Sequence, residues 1–109
     1  MPTIYRVLGQ AATAATTNTD IYTSPAATQT VISTITVANR AATAASFRIA
    51  IRPAGAAISN LHYIAFDAPI AASDATNLTL GITLAATDVV TVYASNANLS
   101  FSLFGSQIS

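Results

Sequence analysis

Hydrophobic positions along this chain recur at every second residue in short runs, and no stretch holds them at helical spacing for three turns. The clearest run places Phe47, Ile49 and Ile51 between Ser46, Arg48, Ala50 and Arg52, and Thr28 to Asn39 is rich in β-branched residues. The spacing predicts two strands, with Ala41 to Ala45 joining them as a hairpin loop. Arg52-Pro53-Ala54-Gly55 has proline second and glycine fourth, the chemistry of a type I turn that stops the strand. Leu61 to Ala68 predicts a further strand with Ile64, Phe66 and Ala68 inward and Tyr63, Ala65 and Asp67 outward, ended by Pro69.

Asn77 to Leu84 sets Leu78, Leu80, Ile82 and Leu84 on one face against Thr79, Gly81 and Thr83, the alternation of a half-buried antiparallel strand. Asp88 to Ala94 carries Val90 and Val92 on one face and Val89, Thr91 and Tyr93 on the other, which predicts cover on both sides. Leu99, Phe101 and Leu103 face the core from a strand that Phe104 and Gly105 should end. At the other end, Thr3 to Leu8 is apolar on both faces, so one face is expected to contact something beyond its own sheet. Gly9 to Asn18 reads as a loop, and Asp20 to Thr23 as a short edge strand closed by a turn at Pro25. About eight short strands at this spacing predict one all-β domain over residues 1–109. The fold expected is an antiparallel β-sandwich, jelly-roll or Ig-like. Strand order does not follow from periodicity. Ala-Ala-Thr-Ala-Ala at 11–15 and again at 41–45 reflects composition, not duplication.

Composition changes the picture at the surface. Only 7% of the 109 residues are charged, against roughly 25% in an ordinary globular chain. The cations are all arginine, the anions all aspartate, and lysine, glutamate, cysteine and tryptophan are absent. The surface must therefore consist of small neutral groups, which lose little side-chain entropy when covered. A chain with a net charge of zero and so few charges tends to associate, so a subunit of an assembly is expected. Arginines scattered from Arg6 to Arg52 make no footprint for a phosphate backbone, so nucleic acid is not an expected partner. No window approaches about 18 uninterrupted apolar residues, so no membrane partner is expected. Met1 to Gln10 has no continuous apolar core of the kind a signal peptide needs.

Acid–base chemistry needs clustered groups that titrate near the working pH, and one histidine with four dispersed aspartates is a poor kit. The expectation is a non-enzyme with no catalytic residues, no cofactor and no metal. His62, beside Ile64 on the inward register of its strand, reads as a packed or interface histidine rather than a base or ligand. Asp20 with Asn18, or Asp74 with Asn77, offers hard oxygen ligands but no calcium-loop spacing, and ordinary turn bonds account for both. Arg48 and Arg52 share a strand face, and with Arg40 they form the one cationic feature. They suit bidentate pairing with a carboxylate across a protein interface, or local pairing with aspartate on a solvated face. Candidate protein-interface residues are thus Arg40, Arg48, Arg52, His62 and Tyr63. Tyr5, Tyr22, Tyr63 and Tyr93 are also of the type that stacks on carbohydrate.

Several segments together resemble small virion structural proteins of tailed bacteriophages. They are Tyr22 to Thr28, Val37-Ala38-Asn39-Arg40, Phe47 to Gly55, Leu80 to Leu84 and Val89 to Ala94. The resemblance spans most of the chain and rests on pattern, with no family site residues to carry over. It implies a β-sandwich assembled on a particle. The role that suits one short domain is a capsid decoration or cement protein on the virion surface, associating with itself as a homotrimer and with the major capsid protein. The alternative it leaves open is a tail-fibre or baseplate-associated domain that binds host glycan.

Overall fold

The alternating runs become strands that face one another across a single apolar layer. The computed structural model describes residues 3–79 and 81–108, so Leu80, assigned above to an apolar face, lies outside the described residues. In chain order the strands are β1 (Thr3–Ala12), β2 (Thr19–Thr23), β3 (Gln29–Asn39), β4 (Ala45–Arg52), β5 (Tyr63–Ile70), β6 (Ala75–Leu78), β7 (Ile82–Leu84), β8 (Val89–Ala94) and β9 (Leu99–Ile108). One sheet runs β1-β9-β3-β6, with β7 also on β3, and the other runs β2-β8-β4-β5. The partners are nested: β1 pairs with β9, β2 with β8, β3 with β6 and β7, and β4 with β5, all antiparallel. This wrapping of early strands onto late ones is a jelly roll, one of the two sandwich topologies expected. Thr3 stands opposite Ile108 on the first rung of the β1–β9 ladder.

The core comes from the predicted alternations. Phe47 and Ile49 of β4 and Val90 and Val92 of β8 meet Ile32, Ile35 and Val37 of β3 and Leu99, Phe101 and Leu103 of β9. Phe47 and Phe101 contact edge-to-face across the layer, with ring centroids 6.4 Å apart. A polar lock closes one side of the layer. Gln107 Nε2 donates to the Tyr22 hydroxyl at 2.6 Å, that hydroxyl lies 2.8 Å from Thr30 Oγ1, and Thr30 Oγ1 lies 3.0 Å from Ser24 Oγ. Ser24 Oγ donates onward to the Thr28 carbonyl, so the buried hydroxyls of Ser24 and Thr30 are satisfied as burial requires.

Several local expectations are corrected. Ala41 to Ala45 is not a hairpin loop, because β3 and β4 belong to different sheets. The segment crosses between them around the buried Asn39, whose amide donates to the carbonyls of Thr43 and Ala71 and accepts from the Ala41 N–H. The stop after β4 is not a type I turn on Arg52: the Ala56 N–H bonds the Pro53 carbonyl, and Ala54 and Gly55 both have positive φ, as in a type I′ turn one residue later. Asn77 to Leu84 is broken into β6 and β7, with Gly81 at φ +62° between them. Pro69 lies within β5, where an edge position tolerates its missing N–H. Gly9 does not open a loop: β1 runs through it to Ala12, and a Cβ there would sit 2.5 Å from the Ile21 carbonyl oxygen of β2. Gly105 does not end β9 either. It lets the strand pass the bulge at Ile32–Thr34 of β3, where a Cβ would collide with the Val31 carbonyl oxygen.

Candidate interaction surface

The largest departure from simple alternation lies in β5, and it creates the most chemically distinctive surface. Opposite β4, Phe47 pairs with Ala68, Ile49 with Ala65 and Ala50 with Tyr63. Strand β5 thus carries one extra residue between Phe47 and Ile49 and one more between Ile49 and Ala50, a pair of β-bulges. Asp67 absorbs the first bulge at φ +51°, a region aspartate tolerates better than most side chains. Ala68 packs against the core as expected, but beyond the first bulge the predicted facing is reversed: Ala65 packs against the core, while Ile64 and Phe66 are exposed.

Phe66, thrown outward, meets Arg48. The Arg48 guanidinium carbon lies 4.2 Å from the Phe66 ring centroid and 4.3 Å from that of Tyr93, so the cation is flanked by two aromatic rings. Its Nε donates to Asp67 Oδ1 at 2.6 Å and its Nη2 to Oδ2 at 3.3 Å, a bidentate pairing within the chain. The bond from Arg48 holds the Asp67 carboxyl below the usual carboxylate range, partly opposed by its removal from water. The same bond raises the Arg48 guanidinium, again against desolvation, with Asp67, Tyr93 and Tyr63 adding favourable charge interactions. Tyr63 stands edge-on to Phe66 at 4.9 Å. With Asn60 these two rings line a shallow cavity of about 350 Å³. Leu61, 82% exposed, and Ile64 extend the surface along the sheet margin.

The sequence-selected residues are therefore distributed rather than clustered. Arg48 and Tyr63 come together here. Arg52 belongs to a separate network: its Nη2 reaches both Asp20 oxygens at 2.9 and 3.0 Å, its Nε donates to Thr91 Oγ1, and the Thr91 hydroxyl donates to Asp20. That network ties β2, β8 and β4 together and covers the outer side of β8, and Arg48 over Tyr93 covers more of it. It also occupies the Asp20 carboxylate, which the sequence offered as an oxygen ligand. Arg40, past the end of β3, donates to Ser100 Oγ and the Ala97 carbonyl. His62 is not on a strand: it ends a 3₁₀ turn, Asn60–His62, is 8% exposed, and accepts the Ser59 N–H at Nδ1. Asp74 receives the N–H of Ala75, and Asn77 the Thr36 hydroxyl, ordinary roles at turns and cross-strand positions.

Sequence reasoning missed Phe66, Ile64 and Leu61 as surface groups, and it offered Tyr93 for carbohydrate stacking rather than as a partner of Arg48. One signal was present: Ala65 and Ala68 are small and three apart, the spacing that an inserted residue gives two inward positions. No protein-family model matches the chain, and no curated protein is similar to it.

Proposed function

We propose that this protein is a virion structural protein of the capsid decoration or cement type, which binds the major capsid protein shell of a tailed phage. The observation that carries the reading is the β5 margin. There Leu61, Ile64 and Phe66 stand in solvent on a neutral surface whose one cation and one anion neutralise each other. A rigid aromatic surface already ordered by Arg48 loses little conformational freedom on contact, and residues of this type dominate the energy of protein interfaces. The resemblance to virion proteins supplies the setting. The jelly roll is compatible with it, since viral capsid domains use this architecture, although a fold alone assigns no function. Many copies on a lattice of sites turn modest contacts into strong retention.

Particles with and without the protein test the reading. Those lacking it should release their genome at lower temperature, and purified protein added back should restore the shell unless Leu61 or Phe66 is replaced by aspartate. Equal heat survival with and without the protein would defeat the cement role. A second reading has its own observation: Asn60, Tyr63 and Phe66 around a shallow cavity form an amide-and-aromatic surface suited to a sugar ring, and jelly rolls also serve as lectins. Binding of the purified protein to a glycan array or to host cells, lost on Tyr63→Ala, would favour that reading and a tail location.

A further inference from the structure

We infer that two copies of this protein join through strand β1 by antiparallel, edge-to-edge pairing about a two-fold axis, which extends the β1-β9-β3 sheet across both copies. The inference does not depend on where the protein is displayed.

An edge strand offers a row of backbone N–H and C=O groups to any strand that can reach it, and monomeric proteins blunt such edges. Three margins of this sandwich are blunted. The β5 edge carries two bulges, Pro69 and the positive-φ Asp67. The margin opposite β1 is split into two short pieces, β6 and β7, separated at Gly81. The β2 edge is five residues long, shifts register between Asp20 and Tyr22, and carries Asp20. Strand β1 carries one charge, Arg6, but no bulge, proline or positive-φ residue between Thr3 and Val7. It is unbroken there, its register with β9 shifts only after Val7, and those five residues are all exposed. Ile4 and Val7 are about half exposed, and Tyr5 is 82% exposed.

The chemistry of β1 makes a second copy the fitting occupant. A symmetric antiparallel register centred on Tyr5 sets Tyr5 against Tyr5, Ile4 against Arg6 and Thr3 against Val7. No like charges then face each other, whereas centring on Arg6 would oppose two cations. The Arg6 guanidinium is turned back onto its own sheet, where Nη1 donates to Gln107 Oε1 at 3.0 Å, so it leaves the edge clear. With zero net charge, two copies also meet without long-range repulsion. Among the described margins β1 is the one long regular edge, so its matching partner on a second molecule is β1 itself. Like pairing with like closes at two copies, in place of the three-fold association that the resemblance implied.

A ribbon five residues wide is a small interface, so a dissociation constant of about 10–100 μM is expected in solution. Sedimentation equilibrium on the full chain up to about 1 mM should show a monomer–dimer equilibrium. Tyr5→Pro should leave a folded monomer, as judged by an unchanged β-type circular dichroism spectrum. The chain has no cysteine, so single cysteines at Thr3, Ile4, Tyr5, Arg6 and Val7 report the register directly. Under mild oxidation Tyr5→Cys should crosslink several-fold faster than its neighbours. A protein that stays monomeric throughout the range would overturn the inference. So would a trimer or dimer indifferent to Tyr5→Pro, or crosslinking with no preference among the five positions.

Discussion

At one margin of the sandwich, bulged β5 turns Phe66 outward into a stack with Arg48 and Tyr93. At the other, β1 runs straight and leaves Ile4, Tyr5 and Val7 on a ribbon with an open backbone edge. Both margins expose large apolar groups, yet they suit different contacts. The β5 margin has its backbone direction disturbed and its side chains braced, which favours recognition through side chains. The β1 margin has a regular backbone and unbraced side chains, which favours recognition through hydrogen bonds to another strand. Exposed hydrophobic residues are therefore not interchangeable evidence of an interface. The backbone beneath them says what kind of partner can fit.

The strongest way to break this comparison is to remove what both margins share. Phe47→Ala, which empties the inter-sheet contact with Phe101, should cost about 3–5 kcal/mol in denaturant unfolding and abolish both surfaces together. Gly105→Ala should separate them: its Cβ collides with the Val31 carbonyl oxygen. A cost of about 1–3 kcal/mol is expected, with self-association lost and the Phe66 surface intact, as followed by sedimentation and by shell binding. Arg48→Ala should act in the opposite sense. It releases Phe66, Tyr93 and Asp67 from one another and should weaken shell binding about tenfold or more, without changing the dimer measured by sedimentation. Phe66→Ser should lower shell binding while unfolding stability stays within about 0.5 kcal/mol of the parent, because an exposed side chain contributes little to folding.

The smallest effect expected is on pH. Asp67 has its carboxyl pKa lowered in the folded protein, so it binds a proton more readily when unfolded. Its contribution to stability is present above the ordinary carboxylate range and is lost as pH falls through the lowered value. Between about pH 5 and about pH 2 the parent should lose slightly more stability than Asp67→Asn, with solvent screening keeping the difference small. An NMR titration of the Asp67 carboxyl should show a midpoint below that of a free aspartate, moving up in Arg48→Ala.

Much of the fold was legible because periodicity two is a direct record of a two-faced strand. Phe47 and Ile49, and Leu99, Phe101 and Leu103, were read from spacing alone and lie in the core. Spacing was silent on which sheet a strand joins. The crossing at Ala41 to Ala45 depends on β3 pairing with β9 and β4 with β8, whose partners lie 60 to 79 and 37 to 47 positions apart along the chain. The bulges were the second obstacle, since each inserted residue inverts the facing of everything beyond it. Phe66 was assigned inward for that reason, and the surface it makes with Arg48 was not visible. Arg48 itself stood out, because a charge is conspicuous in a chain that has so few.

The first rung of the β1–β9 ladder has one more consequence. Because Thr3 and Ile108 face each other across neighbouring strands, a short peptide could splice them, and the chain could be reopened at an exposed turn such as 95–98 without interrupting a sheet. A circular permutant of that kind would present its new ends, and any cargo fused to them, beside the start of β9, away from the Thr3–Val7 ribbon.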